Sequence, residues 1–301
     1  MNNFIIIFIA ISAGFLFRKY KKLPDDAHRA VNLWIVNMAL PAIALRYIPR
    51  MDWNWDLLLP LATPIIILFG AFVIVELVSK IKPIPIPSKA ALLLTVGFSN
   101  MSFLGYPITE AYYGGEGLQL AVLCDQASFI VVSTFGILIA TFASQGKGKI
   151  DFKNIFYKII TFPPTIAFIL AFVLPHLIDM QSIDKVLESL GATMVPMALF
   201  SIGLQLEFKN WKTDKQLLNL ALVYKLVLAP LLVLIVSWFF IIEKLYVQVS
   251  VLESAMAPMV VGSIIATEFN LNPKLANNII SFGIPVSLFT TFLWYLVLIY
   301  V

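Results

Sequence analysis

The sequence predicts an all-α integral membrane protein with ten transmembrane helices, arranged as two inverted five-helix repeats with broken, crossing fourth and ninth helices. Three observations predict this fold: the composition, the alternation of apolar runs with basic loops, and matching proline motifs in the two halves. Of the 301 residues, 60% are hydrophobic and only 13% are charged, whereas a soluble domain carries about 25% charged residues. Lipid is therefore the expected solvent for most of the chain.

Ten apolar runs predict the spanning helices, because about 20 residues cross the hydrocarbon core of a bilayer. The predicted spans are 3–17, 30–48, 57–79, 88–112, 117–142, 154–178, 186–206, 215–240, 244–267 and 275–300. The first run is expected to be a retained helix, since Arg18 and Lys19 follow it and a signal peptide would carry its positive charges first. These spans leave no room for a separate soluble domain.

Basic residues predict the orientation of the chain. The odd-numbered loops and their borders hold 16 of the 21 Lys and Arg residues, the even-numbered ones hold 4, and Lys225 lies inside the eighth span. Cytoplasmic loops are enriched in Lys and Arg, so both termini are expected outside a multi-pass plasma (inner) membrane protein. The same rule explains the net charge of +4 without a nucleic-acid partner.

Corresponding motifs suggest an internal duplication. Pro41 matches Pro196, Pro107 matches Pro258 and Ser128 matches Ser281, at shifts of 151 to 155 positions. We therefore expect a first repeat over 1–143, a cytoplasmic linker over 144–153 and a second repeat over 154–301, within one integrated membrane domain. Five crossings invert the second copy, and inverted repeats are typical of secondary transporters that work by alternating access.

The fourth and ninth spans carry proline and glycine beside polar residues in mid-membrane. Pro107 and Pro258 each remove a backbone donor and displace the carbonyl four residues earlier, which would be that of Phe103 or Ser254. Freed carbonyls favour a cation, whereas half-helix N-termini favour an anion. A pair of ordinary proline kinks is the alternative. The predicted substrate-binding residues of this crossover are Ser99, Asn100, Gly105, Pro107, Ser254 and Pro258, and those of the facing scaffold path are Asn37, Pro41, Thr193 and Pro196.

The stretch from Asn100 through Gly105 to Pro107, followed by Tyr113-Gly114-Gly115, resembles the first crossover of the auxin efflux carrier family, and 254–258 resembles the second. This family includes plant PIN proteins and bacterial carboxylate permeases. The resemblance implies ten helices, crossing fourth and ninth helices, a scaffold of the first, second, sixth and seventh helices, and movement of small organic anions. A homodimer through the scaffold helices is a further expectation. The long cytoplasmic loop of plant carriers is absent, so an auxin role is not implied, and Ala255 or a neighbour replaces a second asparagine.

Ionisable residues inside the spans are functional candidates. Asp125 and Glu253 are predicted to hold a coupling ion, H⁺ or Na⁺, because oxygen ligands suit a hard cation and buried carboxylates suit proton exchange. Lys225 would attract an anionic substrate, pair with a carboxylate or snorkel to the interface. We interpret Arg46 and Glu110 as interfacial. No cofactor and no metal site are expected.

Three other functions compete with transport of small carboxylates. A sodium-coupled organic anion symporter of the bile-acid carrier type would share the broken helices. An intramembrane enzyme is disfavoured, because the spans contain no His-Glu-x-x-His, Gly-x-Gly-Asp or Ser/His pairing. A non-transporting membrane receptor would normally carry a soluble signalling domain, for which the predicted spans leave no room.

Overall fold

The computed structural model describes residues 2–24, 26–144, 152–206 and 214–301. These residues are helical apart from turns and short connections, and one isolated antiparallel bridge joins Ser99 to Pro258. The α-helices are α1 Asn2–Lys19, α2 Ala27–Trp34, α3 Leu40–Tyr47, α4 Leu58–Ile81, α5 Ile86–Val96, α6 Tyr106–Val131, α7 Ile137–Ala143, α8 Phe152–Ile160, α9 Pro163–Val173, α10 Met180–Gly191, α11 Met194–Gln205, α12 Lys215–Val223, α13 Ala229–Ser237, α14 Lys244–Ser254, α15 Val260–Glu268 and α16 Pro273–Leu298.

Short π-helical and 3₁₀ segments continue several of these helices. The π segments are Ile35–Ala39, Met101–Gly105, Val132–Gly136 and Tyr224–Leu228, and the 3₁₀ segments are Ile48–Arg50, Trp55–Leu57 and Leu174–His176. A π turn inserts one extra residue into a helix and is frequent at functional sites. The hydropathy pattern of the sequence carries no signal for these segments.

Six continuous helical stretches among the described residues are long and apolar enough to cross a membrane. They are Ala27–Arg50, Trp55–Ile81, Met101–Ala143, Met180–Gln205, Lys215–Ser237 and Pro273–Leu298. The prediction of an all-helical integral membrane protein is therefore confirmed, whereas the ten crossings and their inverted order stay predictions. The longest stretch contains Gly114 with φ 67° and ψ −158°, which interrupts the helix between the predicted fourth and fifth spans.

Two compact units divide the described chain. Unit 1 consists of Met1–Asn54, Ser102–Val122 and Phe156–Glu207, and unit 2 consists of Trp55–Met101, Leu123–Ile155 and Phe208–Val301. Each unit takes segments from both halves of the sequence. The division into units therefore reflects how the helices pack and does not correspond to the two predicted repeats. The predicted repeats over 1–143 and 154–301 stay predictions, and most of the predicted linker 144–153 lies outside the described residues.

Unit 1 is built around the close approach of α1 and α11. Gly14 and Gly203 face each other, and a Cβ added at Gly203 would lie 2.3 Å from the Ile11 carbonyl oxygen. Small residues allow such backbone approach in membranes, where van der Waals packing drives helix association. In the same unit α3 packs on α9 and α10.

Unit 2 packs α4 on α13 and α14, and α5 on α15 and α16. The Tyr224 hydroxyl donates a hydrogen bond to the Ile67 carbonyl and ties the π segment of 224–228 to α4. Large apolar side chains such as Phe69, Phe135 and Phe289 are more than half exposed on the outside of the helices, as expected for surfaces in contact with lipid.

Candidate functional site

Two helix breaks in unit 2 meet through their backbones. The Asn100 N–H donates to the Ala257 carbonyl at 2.9 Å, and the Met259 N–H donates to the Thr95 carbonyl at 3.1 Å. Ser99 and Pro258 form the antiparallel bridge between these two bonds. Unpaired backbone groups are costly in lipid, and here each broken helix provides partners for the other.

Two glycines make this close pairing sterically feasible. A Cβ added to Gly262 would lie 1.7 Å from the Leu94 carbonyl oxygen, and one added to Gly283 would lie 2.5 Å from Pro258 Cδ. Any other residue at Gly262 would therefore push α15 away from α5. The crossing therefore requires glycine at these two positions as well as the breaks in the helices.

Lys225 places its side-chain amino group at the crossing. Its side chain is fully buried, and Nζ donates to the Ser254 carbonyl oxygen at 2.6 Å and to the Ser99 hydroxyl. The Ser254 carbonyl is the group that Pro258 is predicted to free, and it has bound an ammonium of the same chain. Snorkelling, one of the three roles considered for Lys225, is incompatible with this burial.

The two predicted coupling-ion carboxylates also lie in unit 2. Glu253 is fully buried and Asp125 is 7% exposed. Glu253 is close enough to Lys225 to interact with its charge, and both carboxylates act electrostatically on the buried Cys124 thiol. Among the described residues no cluster of three His, Cys, Asp or Glu side chains is suited to a metal ion.

Asn100 has a backbone N–H that is hydrogen-bonded across the crossing and a side-chain amide that makes no hydrogen bond with the described residues. The residue is 6% exposed, and its backbone N–H is held by Ala257. Its side-chain amide has no hydrogen-bond partner within the part of the chain that the structure describes. The amide atoms are not sealed from solvent, and the amide N–H groups can donate to a carboxylate oxygen that enters the site.

The remaining predicted site residues lie in unit 1. Asn37 is exposed in the π segment of 35–39 and donates to the Leu33 carbonyl at 2.8 Å. Thr193 accepts a hydrogen bond from the Trp34 indole at 3.0 Å, and Pro41 is the second residue of α3. Gly105 ends the π segment that precedes α6.

Unit 1 contains a cavity of about 450 Å³ that includes two of the predicted prolines, Pro107 and Pro196. This volume is within the range of small-molecule sites, about 300 to 1,000 Å³. The cavity also contains Arg46 and Glu110, which the sequence analysis interpreted as interfacial. Glu110 lies three residues after Pro107, so the two residues share a helix face. This spacing could have indicated from the sequence that Glu110 lines the same cavity as Pro107.

Arg46 is held by acidic residues of α10. Its Nε contacts Asp184 Oδ1 at 3.1 Å and its Nη2 contacts Glu188 Oε1 at 3.0 Å. Arg50 Nη2 contacts the same Asp184 oxygen at 2.7 Å. These ion pairs join the end of the second predicted span to the start of the seventh.

Comparison with known proteins identifies the family. A family model described as "Membrane transport protein" matches residues 1–295. This chain belongs to that family of membrane transporters. Its members are transporters and not enzymes, and the resemblance to auxin efflux carriers is confirmed at the level of the family.

The transporter is similar along its whole length to archaeal relatives. It is 25% identical over 296 residues to an uncharacterized transporter of Methanothermobacter thermautotrophicus, covering 97% of this chain and 96% of that one. It is 25% identical over 303 residues to an uncharacterized transporter of Methanocaldococcus jannaschii, covering 98% and 97%. Auxin efflux carrier component 8 of Arabidopsis thaliana is 27% identical over 120 residues, 39% of this chain and 33% of the plant protein.

Proposed function

We propose that this transporter moves small organic anions, specifically carboxylates, across the plasma membrane by alternating access at the helix crossover. The proposal combines the transporter family with the paired helix breaks of unit 2. It includes the ten-helix inverted-repeat topology with both termini outside, which the distribution of basic residues supports.

The proposal depends most on one observation: the side-chain amide of Asn100 has hydrogen-bond donors to spare at the crossing. Its backbone N–H is held by the Ala257 carbonyl, and its side-chain amide makes no hydrogen bond with the described residues. The Val260 and Val261 N–H groups, the first two of α15, precede its intrahelical hydrogen bonds, whereas the Gly262 N–H donates to the Met259 carbonyl. An amide donor and helix N-termini together favour a carboxylate.

The position of Lys225 affects which ion can be coupled to transport. A sodium-coupled symporter needs oxygen atoms that bind the cation, and the Ser254 carbonyl is a suitable ligand. Because the Lys225 ammonium already binds this oxygen at 2.6 Å, we propose that transport does not require Na⁺. Glu253 and Asp125, which are buried in the same unit, are then the candidate sites for proton coupling.

The mechanism that we propose is movement of the helices around the crossover against a scaffold of the first, second, sixth and seventh helices. The carboxylate would bind beside Asn100 and be exposed to each side in turn. A homodimer through the scaffold helices remains part of the proposal. A receptor role is disfavoured, because family members are transporters.

The decisive experiment is uptake of radiolabelled carboxylates into proteoliposomes, combined with thermal stabilisation of the purified protein by the same compounds. Asn100→Ala is compared with wild type, in sodium and in choline buffers at acidic and neutral pH. Asn277→Ala is the matched control, since it makes the same chemical change at an exposed position of α16.

We expect a carboxylate to stabilise wild type and Asn277→Ala but not Asn100→Ala, with no difference between sodium and choline. Equal stabilisation of all three proteins would contradict a site at the crossover. A strict requirement for sodium would favour the bile-acid carrier type of symport over the proposal.

A further inference from the structure

The cavity of unit 1 contains charges of both signs. Arg46, Glu110 and Glu188 are the charged residues that line it, and its other walls include apolar side chains such as Ile43 and Met194. At neutral pH the ionised forms of these three side chains give a net charge of −1. A simple monocarboxylate would therefore meet an unfavourable net charge in this cavity.

Arg46 keeps hydrogen-bond donors for a ligand. Its contacts with Asp184 and Glu188 use Nε and Nη2, and neither uses Nη1. A guanidinium has five N–H donors, two of them on Nη1. Because the two acidic residues fix the plane of the guanidinium, Nη1 offers a preorganised contact for a carboxylate oxygen.

Glu110 is a negatively charged residue that lines the same cavity. It lies on α6, is partly buried, and makes no ion pair within 4 Å with another residue that the structure describes. It is nevertheless close enough to Arg46 to interact with its charge. A carboxylate in a membrane protein is usually paired or functional, and the one basic residue that lines this cavity, Arg46, is already paired with Asp184 and Glu188.

We propose that this cavity binds a small amino-carboxylate, with the ligand's ammonium group on Glu110 and its carboxylate on Nη1 of Arg46. The apolar walls would enclose the rest of the ligand. This inference rests on the proposed carboxylate transport: it gives the substrate a second site, in unit 1 and separate from the one beside Asn100, and narrows the substrate class to zwitterions. An amine without a carboxylate would leave Arg46 unmatched, and an acid without an amine would leave Glu110 unmatched.

Matched ligands test this inference directly. Binding to the full-length protein in lipid nanodiscs is measured by calorimetry for three pairs that differ only in the amino group: alanine and propionate, norvaline and pentanoate, leucine and 4-methylpentanoate. The amine 3-methylbutylamine lacks only the carboxylate of leucine. Hydrogen bonds to charged groups contribute about 1.5 to 3 kcal/mol, or roughly 10- to 100-fold in affinity.

We expect at least one amino acid to bind about tenfold or more tightly than its deaminated partner, and leucine to bind more tightly than 3-methylbutylamine. In Glu110→Gln the preference for the amino acid is expected to disappear, because the amide has no charge to offer an ammonium. Glu116→Gln is the matched control, as Glu116 is exposed on the same helix and should keep the preference.

The outcomes separate this inference from the proposed function. If wild type binds a deaminated acid as well as the amino acid, the zwitterion site is refuted and carboxylate transport stands. If the preference survives in Glu110→Gln, the assigned role of Glu110 is refuted. If folded wild type binds no member of any pair, the zwitterion site is refuted, and carboxylate transport is judged by the proteoliposome assay. The comparison within wild type does not depend on the folding of a variant.

Discussion

Replacing Gly262 by alanine tests the crossover at its tightest point. The added methyl carbon would lie 1.7 Å from the Leu94 carbonyl oxygen and 2.5 Å from its carbon, and ordinary contact begins at 3.4 Å. Both obstacles are backbone atoms, which cannot rotate away. The backbones of α5 and α15 must therefore separate by roughly 1.7 Å.

This separation has two energetic consequences. Overpacking in a well-packed interior costs about 1 to 3 kcal/mol. The separation also strains the hydrogen bond from the Met259 N–H to the Thr95 carbonyl, and a buried backbone group without its partner costs about 1 to 3 kcal/mol. We expect Gly262→Ala to lower the free energy of unfolding by about 2 to 6 kcal/mol.

Thermal unfolding of the purified protein, followed by tryptophan fluorescence, measures the global effect. Hydrogen exchange in the peptides that contain Asn100 and Met259 localises it, because both backbone amides are hydrogen-bonded across the crossing. Gly115→Ala is the matched control, since its added carbon would lie 3.5 Å from the Tyr47 ring, an ordinary contact. An unchanged unfolding midpoint and unchanged amide protection in Gly262→Ala would refute the close approach of α5 and α15.

Three further predictions follow from the structure. Lys225→Ala removes the closer of the two donors to the Ser254 carbonyl and leaves the Ser99 hydroxyl at 3.5 Å, so the unfolding midpoint should fall. Sodium should stabilise this variant but not wild type, and equal sodium effects on both would contradict the assignment. Gly203→Val, whose Cβ would lie 2.3 Å from the Ile11 carbonyl oxygen, should lower the unfolding midpoint by separating α1 from α11, and wild-type stability would refute this packing. Val301→Cys should react with an impermeant maleimide added outside intact cells, whereas wild type should not react because Cys124 is buried; labelling only after permeabilisation would reverse the orientation.

The sequence predicted the features that depend on local chemistry. Prolines and glycines in apolar runs obey short-range rules, so the break that contains Pro258 could be located in advance. The other break lies between Val96 and Met101, beside Gly97 and Asn100, whereas Pro107 lies in the first turn of α6. The same rules identified the Ser254 carbonyl as a group that needs a partner. Hydropathy located the apolar helices for the same reason, since each depends on about 20 consecutive residues.

Features that depend on long-range pairing could not be predicted. Lys225 reaches Ser99, which is 126 positions earlier in the chain, and Arg46 reaches Asp184, which is 138 positions later. One sequence without an alignment carries no signal that joins such pairs. Arg46 was accordingly interpreted as an interfacial residue, although an acidic cluster of α10 fixes it on the wall of a cavity.

In the proposed transport cycle, the attachment of the Lys225 ammonium to the polypeptide would affect the response to the membrane potential. A sodium ion would leave with its substrate, whereas this ammonium stays on the protein and returns with it, so by itself it transfers no net charge over a full cycle. Without a co-transported proton, a monoanionic substrate would carry one negative charge, worth about 2.3 kcal/mol per 100 mV. An interior-negative potential would then drive that anion out of the cell, while a zwitterion would cross without electrical work.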